Sequence, residues 1–281
     1  MLVTMKEMLQ KASKENYAVA APNIGSEFEA RAFIEAAEEL NAPIILDINL
    51  KVIKEKDSES LGRNVANLAK QAKVPVALNL DHGNNLKQIY QAIQGGYSSV
   101  MFDKSSLPYE DNVKQVKEVC EIAHSLGLSV EAEFGHVGFA DNYEQDRNAA
   151  LTDPVEARKF IEETGVDCLA VAIGTAHGAY PKGFVPYLDF DRLKMIKEET
   201  NGFPLVLHGS SGTKDEDLYK ACRSGINKVN VYNDIVRHIV DTLKETDLEG
   251  KAAYKVFDVI YEAEKSKLKD LIILYGSQGK A

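Results

Sequence analysis

The chain is predicted to be an α/β protein, a (β/α)8 TIM barrel with an additional C-terminal helix, on three observations. Short apolar runs bounded by polar turns recur eight times along its 281 residues. Segments with helical spacing lie between them, and no linker-like or low-complexity stretch interrupts the alternation. Strand–helix alternation implies parallel pairing, and eight near-equal units suit a closed barrel better than an open sheet. The expectation is therefore a single domain over residues 1–281.

Taken in order, the strand runs are Tyr17–Pro22, Pro43–Ile48, Val74–Leu80, Ser98–Phe102, Ser129–Glu133, Cys168–Ile173, Pro204–Leu207 and Lys228–Val231; each is short, apolar and bounded by turn residues. The helical spacing between them is seen in Phe28, Phe33, Ile34 and Ala37, and again in Val113, Val116, Val119, Cys120 and Ala123. Start signals fix three helices independently: Ser26 with Glu29, Asp153 with Glu156 and Pro154 at the first helical position, and Thr213 with Glu216. An eighth crossover helix covers roughly Asp234 to Lys244. One more helix over Lys251–Tyr275 could cover the barrel or meet a second subunit, and the last residues, Tyr275–Ala281, carry no periodicity.

Composition narrows the function classes. A 44% hydrophobic and 27% charged chain has ample material for a core. Its net charge of -10 is spread rather than clustered, which argues against nucleic acid and against anionic membrane, so an anionic ligand needs local donors. Met1 to Glu7 lacks the basic and apolar stretches of a secretory signal, and no apolar run approaches spanning length, so a cytoplasmic location is expected. Cys120, Cys168 and Cys222 are far apart in apolar patterns and read as buried free thiols.

In such a barrel the strand C-termini and following loops form the active-site face. Asn23 follows the first run, Asp81-His82-Gly83 the third, Gly174 to Gly178 the sixth and His208 to Gly212 the seventh, while Glu131 and Glu133 end the fifth and Asn230 sits on the eighth. Of six histidines, His82, His177 and His208 stand one to four residues beyond apolar strands, where three imidazoles could converge; His124 and His238 lie on helices. Any one alone is more readily a satisfied core residue, but three at the same barrel end point to a late divalent metal. His136, in a top loop, takes no role. Asp81 beside His82 could exchange a proton with a substrate held at the metal, or could orient an imidazole; spacing does not choose between them. Glu131 and Glu133, two apart on a strand, share a face, either at the barrel mouth, where one could hold the metal in an alternative position, or in an internal ion pair. Gly178 with Lys182, and Gly209-Ser210-Ser211-Gly212, suit an anion cradle, phosphate being favoured over a plain tight turn.

Four segments carry a family resemblance in register: Asn79-Leu80-Asp81-His82-Gly83, Ser129-Val130-Glu131-Ala132-Glu133, Ala172 to Tyr180, and Leu207-His208-Gly209-Ser210-Ser211-Gly212. The chain resembles the class II, zinc-dependent fructose-bisphosphate and tagatose-bisphosphate aldolases over nearly its whole length, including Leu107 to Val113, Thr152-Asp153-Pro154 and the small-residue C-terminus. The resemblance implies a lyase of carbohydrate metabolism, glycolysis included, that cleaves a ketose 1,6-bisphosphate or related ketose 1-phosphate to dihydroxyacetone phosphate and an aldehyde. It implies that His82, His177 and His208 bind one catalytic Zn²⁺ that stabilises an enediolate, that Asp81 moves the C4 hydroxyl proton, and that Asn230 hydrogen-bonds the enediolate. Gly178, Lys182, Gly209 and Ser211 would receive the C1 phosphate, with Asn23, Ser210, Tyr232 and Asn233 on the substrate side. Glu133 would touch the metal transiently, and Na⁺ or K⁺ often sits by the phosphate loop. The family is usually a homodimer or larger, such as a tetramer.

Departures from the family pattern fall on the substrate side. The mobile-loop glutamate that acts at C3 is replaced within Gly138-Phe139-Ala140-Asp141-Asn142, so the base would be the shorter Asp141. Tyr232 and Asn233 change two phosphate-side positions, Pro181 is inserted before Lys182, Ser210 replaces a glycine, and Asn49-Leu50-Lys51-Val52 replaces a Ser-x-Gly-Ala pattern. The distal-phosphate arginine position falls near Tyr261 and the serine position on Asn49, which leaves the aldehyde half differently recognised. Two further readings compete with an active aldolase: a non-catalytic partner subunit, and a metal-dependent sugar-phosphate isomerase or epimerase.

Overall fold

The protein is described by a computed structural model over residues 1–137, 151–176 and 186–281. All eight predicted strands are present: β1 (Val19–Pro22), β2 (Ile44–Asn49), β3 (Val76–Gly83), β4 (Ser99–Phe102), β5 (Ser129–Phe134), β6 (Cys168–Val171), β7 (Leu205–Leu207) and β8 (Ile226–Val231). They pair in parallel in the order β1-β8-β7-β6-β5-β4-β3-β2. A parallel bridge between Asn23 and Asp47, with Ile24 N donating to Asp47 O at 2.8 Å, draws β1 and β2 together. The result is a nearly closed (β/α)8 barrel, as the alternation requires.

The described helices are α1 (Met5–Glu15), α2 (Glu27–Glu39), α3 (Ser58–Gln71), α4 (Leu86–Gln94), α5 (Tyr109–Ser125), α6 (Pro154–Thr164), α7 (Phe190–Glu199), α8 (Asp215–Arg223), α9 (Asn233–Glu245) and α10 (Val256–Tyr275). Two of the three start signals act as expected. Ser26 accepts from Glu29 N, and Asp153 accepts from Val155 N and Glu156 N with Pro154 at the first position. The third does not: α8 is preceded by Lys214, and Thr213 Oγ1 is buried without a hydrogen-bond partner, so the chain enters α8 one residue later than the motif implies. The predicted C-terminal helix begins as a 3-10 turn, Gly250–Lys255, before α10. No helix among the described residues is long and apolar enough to cross a membrane. The three cysteines are buried and unpaired.

Alternation within the strands builds the barrel interior in layers. Ile44, Leu46 and Ile48 of β2 face the helices, in the same cluster as Leu78, Val130, Leu169 and Leu205, whereas Ile45 belongs to the inner cluster with Val19, Ala21, Ala77, Met101 and Val206. That inner apolar floor is closed from below by α1, through Met5, Met8, Leu9 and Ala12. Met5 N donates to Ser99 Oγ at 3.0 Å and Ser129 Oγ at 3.1 Å, so the helix is tied to the strand ends it covers. The sequence reading assigns no helix there. One inward step above the floor the side chains become charged: Asp47, Glu131 and Lys228 are each fully buried, with Asn79 beside them. The next step carries Asp81, Glu133 and Asn230, and it opens on the barrel mouth.

Candidate active site

The site is organised by an irregularity at the end of β3. Its pairing with β4 shifts register between Leu80 and Gly83, and His82 adopts a left-handed backbone with φ 53°. Such a conformation is uncommon outside glycine and is held here by its surroundings. Gly83 makes it possible, because a Cβ there would lie 2.7 Å from Leu80 Cδ2 and 2.9 Å from Met101 O. The bulge lets Asp81 and His82 both serve the barrel mouth although they are neighbours on a strand.

His82 and His208 meet there. His82 Nδ1 lies 2.8 Å from Asp103 Oδ2, and His208 Nε2 lies 2.8 Å from Glu131 Oε1. Each carboxylate fixes its ring and leaves the other nitrogen turned inward, so His82 Nε2 and His208 Nδ1 face each other at 3.2 Å. Burial opposes charge on His82, but the Asp81, Asp103 and Glu133 carboxylates outweigh it and lift its pKa to about 9. Asp81 gathers with both rings, and His82 also gathers with Asp103 and Glu133, ligand atoms lying within 4.8 Å of one another in each group. Glu133 Oε2 is buried without a hydrogen-bond partner, while its Oε1 accepts from Ser105 Oγ and Val137 N. Two inward imidazole nitrogens, adjacent carboxylates and an unpartnered buried carboxylate oxygen form a donor set that fits a divalent cation.

Asp81 is clamped by three carboxamides. Asn23 Nδ2 and Asn49 Nδ2 donate to Oδ2 at 2.9 and 2.8 Å, and Asn230 Nδ2 donates to Oδ1 at 3.3 Å. Burial alone would raise its pKa; the charges of His82 and Lys228 and the Asn49 hydrogen bond hold it well below the usual carboxylate range. A fixed, ionised carboxylate next to the imidazole pair can accept a proton from a bound hydroxyl. Asn49 and Asn23 are thus drawn onto Asp81 rather than outward.

A cavity of about 510 Å³ covers this floor, lined by Asn49, Lys51 and Val52 on one side and by Gly209, Ser211 and Tyr232 on the other. Gly209 is required by close approach: φ is 66°, and a Cβ would sit 2.4 Å from Ala176 O. Thr175 Oγ1 donates to His208 O at 2.7 Å, joining the loops after β6 and β7. Ser210 turns inward and donates to Asn230 O at 2.6 Å. Tyr232 and Asn233 stand at the start of α9, where backbone N–H groups lack helical acceptors. Tyr261 lies elsewhere: its hydroxyl donates to Glu35 at 2.6 Å between α10 and α2. His177, Gly178, Lys182 and Asp141 lie outside the described residues.

Sequence reasoning missed Asp103, Asp47 and Lys228. Asp103, one residue past β4, could have been found as a carboxylate at a strand end. Lys228 and Asp47 sit within strand runs and carry no local signal.

Comparison with known proteins points to one family. The family model for class-II fructose-bisphosphate aldolase matches residues 3–280. A curated fructose-bisphosphate aldolase from Thermus caldophilus is 38% identical, with 100% of each chain covered. Among solved structures, the YdjI aldolase from Escherichia coli K12 is similar with a TM-score of 0.88 and 32% identity over 100% of each chain. A fructose-bisphosphate aldolase from Campylobacter jejuni, 20% identical with a TM-score of 0.85 over 100% of this chain and 97% of its own, shares the fold.

Proposed function

The chain belongs to the class-II fructose-bisphosphate aldolase family and is a lyase, and we propose that it reversibly cleaves a ketose 1-phosphate or 1,6-bisphosphate into dihydroxyacetone phosphate and an aldehyde. The observation that carries this reading is the paired inward nitrogens of His82 and His208 beside the clamped carboxylate of Asp81. His82, His177 and His208 would hold a divalent metal, zinc by the family resemblance, with Glu133 near enough to His82 to offer an alternative contact. When bound, that metal supplies a Lewis acid for the negative charge that develops on the dihydroxyacetone phosphate half.

The protein's own groups carry the rest. Asp81 takes the C4 hydroxyl proton as the C3–C4 bond breaks, its carboxylate held in place by Asn23, Asn49 and Asn230. Asp141 returns a proton to C3. The loop at Gly209 and Ser211, together with Gly178 and Lys182, receives the C1 phosphate, which the first residues of α9 beside Tyr232 and Asn233 favour electrostatically. Ser210 supports that loop from behind through Asn230 O. We read residues 1–281 as one catalytic domain of a cytoplasmic enzyme, and the exposed Val240, Tyr254 and Phe257 near α9 and α10 as support for a homo-oligomer.

On the aldehyde side a specific observation favours a substrate other than the common bisphosphates. Asn49 is committed to Asp81 and Tyr261 to Glu35, while Lys51 is the cationic lysine or arginine side chain among the described lining residues. No guanidinium fork replaces the expected distal-phosphate arginine among these residues. The test compares kcat/KM for fructose 1,6-bisphosphate, tagatose 1,6-bisphosphate and ketose 1-phosphates without a distal phosphate, with dihydroxyacetone phosphate trapped as product. Cleavage with preference for the monophosphates is expected. A strong bisphosphate preference removes the aldehyde-side reading, and isomerisation without cleavage removes the lyase mechanism.

A further inference from the structure

Beneath the site lies a charged cluster that the proposed reaction does not use. Lys228 of β8 is fully buried, and its Nζ lies 2.6 Å from Glu131 Oε2 of β5 and 3.2 Å from Asp47 Oδ2 of β2. An ammonium is expensive to bury and persists only where carboxylates surround it. Burial lowers the pKa of Lys228, but the charges of Asp47, Glu131 and Asp81 more than reverse this, so it stays charged.

Both carboxylates continue upward. Glu131 uses its other oxygen, Oε1, to accept from His208 Nε2 at 2.8 Å. Asp47 Oδ2 accepts from Asn230 Nδ2 at 2.8 Å, and its Oδ1 from Asn79 Nδ2 at 2.8 Å. One ammonium therefore anchors two acceptors, one under the imidazole of His208 and one under the carboxamide that also reaches Asp81. We propose that Lys228 is a positioning residue: by pinning Glu131 it holds His208 in the tautomer with hydrogen on Nε2, and by pinning Asp47 it orients Asn230.

The physical step is short. An ionised carboxylate only accepts, so an imidazole nitrogen bonded to Glu131 must carry the hydrogen, and the other nitrogen, Nδ1, presents its lone pair to His82. Glu131 can impose this only while its own orientation is fixed, and at Oε2 the fixing contact is Lys228. Outer contacts of this kind typically change metal affinity by roughly 10- to 100-fold. The inference rests on the proposed role of His208 as a metal ligand, although the ring geometry itself does not require the metal.

Lys228→Met alone leaves Asp47 and Glu131 buried without the ammonium they share and can fail to fold, so the test uses Lys228→Met/Asp47→Asn, which replaces the lysine and its second acceptor by neutral groups of similar size, against Asp47→Asn. Two measurements are made on intact full-length protein: imidazole ¹H–¹⁵N correlation spectra of the metal-free form, assigned through His208→Gln, and zinc affinity by competition with a chromophoric chelator. The expected result is a single Nε2–H tautomer of His208 in the wild type and in Asp47→Asn, lost in the double variant together with a 10- to 100-fold weaker zinc affinity. An Nδ1–H tautomer in the wild type overturns the proposal even if no variant folds. So does a double variant with the wild-type tautomer. A wild type that binds no zinc yet shows the expected tautomer change supports the positioning role while removing the metal-ligand reading of His208.

Discussion

Glu264 gives a pH dependence that can be worked through from its surroundings. It lies on α10 with 3% of its surface exposed, and its Oε2 has no hydrogen-bond partner. Burial, and then the charge of Glu29, push its pKa from 4.5 to about 8. Glu29 cannot turn away easily, because its Oε2 accepts from Gly25 N and Ser26 Oγ at the start of α2. The folded state thus keeps a proton that the unfolded chain releases near its ordinary value, and between those limits the native protein binds more protons. Stability from this group is complete below pH 4.5, declines as pH rises, and is lost by about pH 8. At ~1.4 kcal/mol per pH unit, the decline across that window is on the order of 4–5 kcal/mol. Glu264→Gln keeps the shape, removes the ionisation and offers Glu29 a donor. Thermal unfolding of wild type and variant, followed by circular dichroism from pH 5.5 to 9, should diverge up to about pH 8 and level off above it. At roughly 2 °C per kcal/mol for a chain of this size, the variant should melt about 8–10 °C higher at pH 9. Melting curves that stay parallel across the range would refute the buried-acid argument.

Two further outcomes follow from the site. Asp81→Asn should lower kcat by on the order of 10²-fold or more, since the positioned proton acceptor is gone. The same change sets an amide N–H against the donors of Asn23 and Asn49 or of Asn230, so the melting midpoint should also drop by the equivalent of ~1–3 kcal/mol; an unchanged midpoint would contradict the carboxamide clamp. Gly209→Ala must place a methyl 2.4 Å from Ala176 O at φ 66°, which should cost ~1–3 kcal/mol in stability and raise KM for any ketose 1-phosphate. A silent Gly209→Ala in both calorimetry and kinetics would mean that the loops after β6 and β7 are not closely apposed.

The barrel was legible because each strand run is local and apolar, and the same locality made Asp81, His82 and His208 stand out at strand ends. Glu131 and Glu133 illustrate the limit. Their shared face followed from spacing, with two readings left open, and the two residues divide them: Glu131 enters an internal ion pair and Glu133 borders the imidazoles. The ion pair itself could not be read, because Lys228 and Glu131 are 97 positions apart and a lysine within a strand looks like its solvent side. Asn49 was expected to mark a lost phosphate contact; only the folded chain reveals that it is drawn 2.8 Å from Asp81. The amphipathic spacing of Met5, Met8, Leu9 and Ala12 was available in sequence, but its partner, the barrel floor, is assembled from six strands. Thr213 shows the opposite error, a correct local motif overridden by tertiary placement.

The central claim is that the facing nitrogens of His82 and His208, with His177, serve a metal on which carbon–carbon cleavage depends. Its most direct test measures release of dihydroxyacetone phosphate from a cleaved ketose phosphate by purified protein whose metal content is quantified before chelation, after chelation and after reconstitution. The expected result is stoichiometric metal at the start, loss of product release with its removal, recovery with zinc or cobalt, and no recovery in His82→Ala or His208→Ala. Undiminished cleavage by metal-free wild type would contradict it.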